Sequence, residues 1–276
     1  MIISCSKKTQ IDPGAGTIPN AAISMTANGS STDVSDSAEN QKEKFIENYW
    51  NGIFEKAGLP ENIRDQIYSY LMQGPDFTME LYSLMDQDKY LTLLVDKQHP
   101  LGKDYQPGDL VELTDSSYRV SRTGLMLRKA AADSLQVMAA AARSDGVILE
   151  AASAFRSYDY QAEVYSRNVR ELGQQAADRE SAKPGYSQHQ LGLVVDFYPI
   201  DDSFAQTAAS LWLQKNAAQF GWSLSFPEGL EDITGYRQES WHYRYVGTEA
   251  ANFINKYFNG IQQYALVFID TWKNQQ

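Results

Sequence analysis

Ser187-Gln188-His189-Gln190-Leu191-Gly192-Leu193-Val194-Val195-Asp196 places a histidine and an aspartate on either side of a glycine, and the run after the glycine is apolar. Leu191 to Phe197 therefore reads as a short buried strand carrying Asp196 near its end. If His189 and Asp196 are to share one ion, the chain must bend between them, because seven extended residues span roughly 23 Å. Gly192 is the residue that permits a sharp turn or bulge there, aiming Asp196 back at His189.

Outward from this stretch, helices and short strands alternate. Upstream, Leu125 to Ala142 reads as a long Ala-rich helix closed by Gly146, Val147 to Phe155 as a buried strand, and Tyr158 to Leu172 as a helix. Gly173 to Gln188 is polar, with Lys183-Pro184-Gly185 as a turn signal. Downstream, Thr207 to Phe220 reads as a helix stopped by Gly221, Trp241 to Val246 as a strand, and Thr248 to about Trp272 as mostly helical. Tyr90 to Val95 has the composition of a further strand. Before it, Phe45, Ile46, Tyr49, Trp50, Ile53 and Phe54 recur at helical spacing, and helices follow over Pro60 to Met72 and Phe77 to Met85. Few strands with helices packed around them make the class α+β, with a small antiparallel sheet flanked by helices.

The chain has three histidines, and two of them, His189 and His242, sit close to carboxylates. The second context is Glu239-Ser240-Trp241-His242. Two imidazoles and the Asp196 carboxylate offer zinc three ligands and leave a fourth position for water, the pattern of a catalytic rather than a structural site. Other divalent ions also accept such donors. Glu239, three residues before His242, can reach that water without being a ligand, which makes it the candidate general base and then the acid that protonates a leaving amine. His99, followed by Pro100, reads as structural.

Composition removes several alternatives. Lys and Arg number 24 against 35 Asp and Glu, a formal net charge of -11, so nucleic acid is not expected as a partner. With one cysteine, Cys5, neither a disulfide framework nor a thiolate-rich zinc site is available. No run has the eighteen or so apolar residues of a membrane-spanning helix. Ile2-Ile3-Ser4-Cys5 resembles the end of a bacterial lipoprotein signal, which implies a possible lipid anchor through Cys5. Residues 1–42 then read as a flexible tether rich in small and polar residues, and 43–88 as a helical accessory region.

Ser187 to Asp196 resembles the S-x-H-x-x-G-x-A-x-D signature of the LAS zinc peptidases, and Glu239 to His242 resembles their E-x-W-H element. The closer resemblance is to VanY-type D-alanyl-D-alanine carboxypeptidases, through Leu94 to Leu101 and the R-S-Y-x-x-Q segment at Arg156 to Gln161. It covers roughly Tyr90 to Phe258 and departs at Val194, where the family has alanine, a position expected to pack behind the strand. The resemblance implies that residues 89–276 form a zinc carboxypeptidase domain with C-terminal helices, holding one Zn2+ through His189, Asp196 and His242. It assigns Glu239 to catalysis, Arg156 to the oxyanion, and Ser187 and Gln161 to substrate binding. An exposed ion pair with Asp159 or Glu163 is the other reading of Arg156.

The implied activity is hydrolysis of the terminal peptide bond of peptidoglycan stem peptides in the bacterial cell envelope, outside the cytoplasm; a monomer is the default expectation. L,D-carboxypeptidase, peptidoglycan endopeptidase, or a non-catalytic zinc-binding cell-wall module are the alternatives, the last disfavoured because both Glu239 and Arg156 are present.

Overall fold

The structure is a computed structural model and describes residues 32–275. Cys5 and most of the segment read as a tether lie outside the described residues. The first helix begins inside that segment, at Thr32.

The elements run α1 (Thr32–Lys56), α2 (Glu61–Gln73), α3 (Asp76–Ser83), β1 (Leu110–Glu112), β2 (Arg119–Val120), β3 (Met126–Arg128), α4 (Lys129–Ser144), β4 (Glu150–Ser153), α5 (Tyr158–Leu172) and α6 (Gln174–Glu180). There follow β5 (Val194–Phe197), α7 (Ala208–Asn216), β6 (Trp222–Leu224), α8 (Glu231–Thr234), β7 (His242–Tyr245), α9 (Thr248–Phe258) and α10 (Gln262–Lys273). The five-stranded sheet has the order β2-β4-β5-β7-β6, and β1 pairs with β3 in a separate ribbon. Four of its strands are antiparallel neighbours, while β2 joins β4 in parallel at the edge. The α+β expectation holds, with that one parallel edge as the departure.

Each face of β5 has its own task. Val195 and Phe197 belong to the core shared with α4, which also contains Leu135, Met138, Leu149 and Tyr243. By the period-two rule Val194 and Asp196 face the other way. Val194 thus shares the Asp196 face, opposite Arg244, and does not pack behind the strand.

The bend expected at Gly192 is present. Gln188–Leu191 forms a single 3-10 turn, capped by the Ser187 side chain, and Gly192 ends it in the left-handed region at φ 69. A Cβ there would lie 2.9 Å from Leu110 Cδ2 and 3.1 Å from Arg128 Cγ, so both conformation and space require glycine. Gly192→Ala should cost about 1–3 kcal/mol of stability. A denaturation midpoint equal to wild type would contradict this.

Other sequence expectations give way, among them the start of the helix read from Leu125, where Met126–Arg128 forms β3. Tyr90 to Val95 forms no strand, because its carbonyls turn onto a buried guanidinium rather than into a ladder. Arg244 Nη2 donates to the carbonyls of Tyr90, Leu91 and Leu93 at 3.2, 3.2 and 2.8 Å. Arg244 is fully buried, and that burial pulls its pKa down to about 9. The polar stretch after Gly173 contains α6, which lacks the apolar periodicity that would have revealed it.

The helices at the two ends share one core. Trp50, Phe54 and Phe77 from α1 and α3 pack with Phe253, Tyr257 and Phe268 from α9 and α10. Trp50 and Phe268 lie stacked with centroids 6.1 Å apart, and Phe77 meets Tyr257 edge-on at 4.8 Å. The α1–α3 region therefore pairs with the C-terminal helices.

Candidate active site

β5 and β7 bring the first two functional side chains together. Asp196 pairs directly with His242 in the antiparallel register, so both project from one face as cross-strand neighbours. The 3-10 turn before Gly192 delivers His189 to the same point. His189 Nε2 lies 3.1 Å from Asp196 Oδ2, and His242 Nδ1 lies 3.0 Å from Asp196 Oδ1. The donor atoms of the three residues all lie within 4.8 Å of one another, and all three side chains are buried. That spacing suits one divalent cation.

The opposite ring nitrogens are held by the protein. His189 Nδ1 contacts the Ala154 carbonyl at 2.6 Å, which presents Nε2 to the cluster. His242 Nε2 lies 3.4 Å from Gln188 Oε1, which also accepts the Ser225 hydroxyl at 2.8 Å. Ser225 in turn reaches Gln262 at the start of α10, and Gln262 Nε2 donates to the Ser223 carbonyl. The next residue, Gln263, donates to Asp96 at 2.8 Å. The C-terminal helix therefore steadies the ring of His242 from behind.

Glu239 occupies the turn before β7, where the His242 N–H donates to the Glu239 carbonyl at 3.1 Å. Its Oε2 lies 3.2 Å from His242 Nδ1, and the side chain is 14% exposed. Arg156 lies on the other side. Its Nη2 is 3.2 Å from Asp196 Oδ2 and its Nη1 is 3.0 Å from Gln161 Oε1. The alternative pairing of Arg156 with Asp159 or Glu163 does not form among the described residues.

The charges diverge as this geometry requires. Burial pushes His189 down to about 4, helped by the Arg156 guanidinium, so the ring is neutral at pH 7. For His242 burial opposes the charged form, but hydrogen bonds to Asp196 and Glu239 overcome it and lift the pKa to about 9. Burial also opposes the Asp196 charge, yet the two imidazoles hold its carboxyl well below the usual range.

A cavity of about 590 Å³ opens over this cluster, lined by Ser187, His189, Asp196, Glu239, Trp241 and His242 among others. Arg156 and Tyr160 also line it, and Phe226 packs on His242 with centroids 4.7 Å apart. Gln161 is buried behind Arg156 and does not line the cavity: it accepts from that guanidinium and donates to the Ala182 carbonyl at 2.7 Å. Ser187 lines the cavity, and its hydroxyl accepts from the His189 N–H at 3.3 Å. His99 is held by Asp96 at 2.7 Å, outside the cluster.

The family model for VanY, D-alanyl-D-alanine carboxypeptidase, matches residues 124–248, the span that holds every residue of the cluster. The solved structure of the vancomycin resistance D,D-pentapeptidase VanY, a mutant in complex with Zn(II), is 33% identical. It covers 63% of this chain and 96% of its own, with a TM-score of 0.52. The chain belongs to the VanY family. A VanYB structure in complex with D-alanine-D-alanine is 32% identical, covering 68% of this chain and 99% of its own, with a TM-score of 0.52. The LdcB LD-carboxypeptidase structure is 37% identical, covering 61% and 85%, with a TM-score of 0.55.

Among curated relatives, a protein named as the carboxypeptidase YodJ of Bacillus subtilis (strain 168) is 39% identical over 168 residues, 58% of this chain and 62% of its own. A D-alanyl-D-alanine carboxypeptidase of Enterococcus faecalis (strain ATCC 700802 / V583) is 34% identical over 178 residues, 61% of this chain and 63% of its own. The chain thus spans about three-fifths of the length of these two relatives.

The residues that bind the VanY signature to the rest of the molecule were not found from sequence. Gln188 adjoins a candidate ligand, and that adjacency was its one signal. Ser225, Gln262 and the Ala154 carbonyl carry no motif.

Proposed function

We propose that the chain is a zinc-dependent D-alanyl-D-alanine carboxypeptidase that hydrolyses the terminal peptide bond of peptidoglycan stem peptides in the bacterial envelope, outside the cytoplasm. The observation that carries this is the convergence of His189, Asp196 and His242 beside a non-ligand glutamate and a fixed arginine. The buried atoms His189 Nε2 and Asp196 Oδ1 touch only the other members of the cluster, and none of those contacts is an aligned hydrogen bond, as expected of lone pairs turned toward a shared cation. A zinc ion held by these three residues supplies Lewis acidity toward water and toward the scissile carbonyl.

The chain's own groups do the rest. Glu239 takes a proton from the attacking water and passes it to the leaving amine of D-alanine as the C–N bond breaks. Arg156, held between Asp196 and Gln161, faces the negative charge that grows on the carbonyl oxygen. Gln161 acts through Arg156 as a positioning residue, and Ser187 is placed to touch substrate. Tyr198 and Ile200 add an apolar wall to the cleft.

No helix among the described residues is long and apolar enough to cross a membrane. Attachment to the membrane through a lipid on Cys5 belongs to the same proposal, as does a monomeric state.

A second reading, L,D-carboxypeptidase, has its support in the 37% identity to the LdcB structure. Incubation with pentapeptide and tetrapeptide muropeptides, followed by mass spectrometry, separates the two. Loss of one alanine from the pentapeptide supports the first reading, and loss from the tetrapeptide alone supports the second. Intact peptides throughout would overturn both.

The charge states also make metal binding pH-dependent. His242 must give up a proton to become a ligand, and below its folded pKa of about 9 that proton is present. Loading the metal-free protein with zinc at pH 6 should release about one proton, and affinity should rise about tenfold per pH unit until pH approaches 9. Calorimetry in buffers of different ionisation enthalpy reads this directly, and buffer-independent heats would contradict it.

In the metal-free protein the raised His242 pKa contributes stability that is complete below about pH 6.5 and is lost as pH climbs through 9. The depressed His189 pKa acts oppositely: its contribution is present above about 6.5 and is lost as pH falls through 4.

A further inference from the structure

We propose that Arg122 and Arg167 form an anion subsite on the wall of the cleft, which receives a substrate carboxylate other than the terminal one. This rests on the hydrolase reading above and names the substrate class more closely: peptides that carry a second negative charge.

Both arginines line the cavity over the metal-ligand cluster, and they reach it from different elements. Arg122 follows edge strand β2, where the Ser121 N–H donates to the Ala151 carbonyl at 2.9 Å and fixes the backbone. Its Nη1 donates to the Tyr160 hydroxyl at 3.4 Å. Arg167 comes from α5, whose Tyr160, Val164, Arg167 and Asn168 fall at helical spacing on the cleft side. Arg122, Tyr160 and Arg167 thus line one cavity, with Arg122 bonded to the Tyr160 hydroxyl. The Tyr160 pKa is drawn down chiefly by the Arg122 hydrogen bond, against burial, with the charges of Arg122, Arg156 and Arg167 adding to it.

The charges of the cleft do not cancel. Arg156 is matched by Asp196, and Arg237 by Asp202 at 2.6 Å and Glu180 at 3.7 Å. Asp196 and Glu239 are engaged with the histidines. Among the described residues Arg122 and Arg167 have no carboxylate partner, although Glu163 and Glu171 stand one turn to either side of Arg167 on α5. In a chain of net charge -11, two unmatched guanidiniums on one wall of the cleft create a local field of opposite sign to the whole. A planar fork of N–H donors suits a carboxylate, and two such forks fix its place. Since Arg156 already faces the reacting carbonyl, the Arg122–Arg167 pair serves a group further along the peptide.

The test uses two pentapeptides ending in D-Ala-D-Ala that differ at one group: a γ-linked glutamate with its α-carboxylate free, or the same carboxylate as the amide. With zinc-loaded protein the acid peptide should show a KM about two- to fivefold lower than the amide, the range expected of exposed charge pairs. The ratio should fall to near one in the R122Q/R167Q double variant, and each single variant should lie between. Raising ionic strength should shrink it in wild type.

Dissociation constants for the same pair on zinc-loaded Glu239→Gln protein give a readout that needs no turnover. If neither peptide is cleaved by wild type but the acid form binds more tightly, the hydrolase reading falls and the subsite stands. Equal affinities and equal KM values for acid and amide would overturn the subsite, as would a preference that survives in the double variant.

Discussion

Glu239→Ala should retain zinc and lose about 10²- to 10⁴-fold in kcat, the range that a positioned general acid–base group contributes. Glu239 lies in the turn before β7, its carboxylate 3.2 Å from His242 Nδ1. It is close enough to serve the same water as the three ligands, yet the ligand set is complete without it. Removing it takes away one of the two carboxylates that keep His242 protonated in the metal-free protein, so zinc should load at least as readily as in wild type. Elemental analysis and D-alanine release on one preparation check both halves. Turnover near wild type would remove Glu239 from the chemistry. Loss of zinc together with activity would make it a ligand instead of a base.

Arg156→Gln should lower kcat by about 10²- to 10³-fold with a smaller change in KM, as expected when one donor to a developing oxyanion is lost. The guanidinium is fixed by Asp196 on one side and Gln161 on the other before substrate arrives, so little reorganisation accompanies the reaction. Arg156→Lys should recover part of the loss, because charge is kept while the fork is not. Gln161→Ala should show a weaker form of the same defect, since it acts through Arg156. A KM effect without a kcat effect in Arg156→Gln would move this residue from the transition state to ground-state binding.

The convergence of His189, Asp196 and His242 could be anticipated from sequence because its constraints are local. His189, Gly192 and Asp196 lie within one short segment whose bend demands glycine, and the structure supplies that bend at φ 69. His242 and Glu239 are neighbours in a turn. Helix α5 was legible to its bounds because Ser157 caps it and Gly173 ends it.

What was not legible depends on partners far away in the chain. Tyr90 to Val95 has strand composition, but three of its carbonyls are claimed by Arg244, which no local pattern foretells. The split of the helical regions at Asp88 follows a change of pattern, whereas Trp50 and Phe77 find their core with Phe268 at the other end of the chain. The Gln188–Ser225–Gln262 chain behind His242 joins three loci by single side-chain contacts, which leave no periodicity to read. Arg122 and Arg167 likewise look like ordinary exposed charges until the fold sets both on the wall of one cleft.

Zinc titration of chelator-stripped protein, scored by D-alanine released from a D-Ala-D-Ala pentapeptide, probes the central claim most directly. Activity should be absent without metal, rise linearly, and break at about one equivalent of zinc, with Asp196→Ala showing no such break. Undiminished release by the stripped protein, or none at any zinc level, would contradict a hydrolytic centre built on His189, Asp196 and His242.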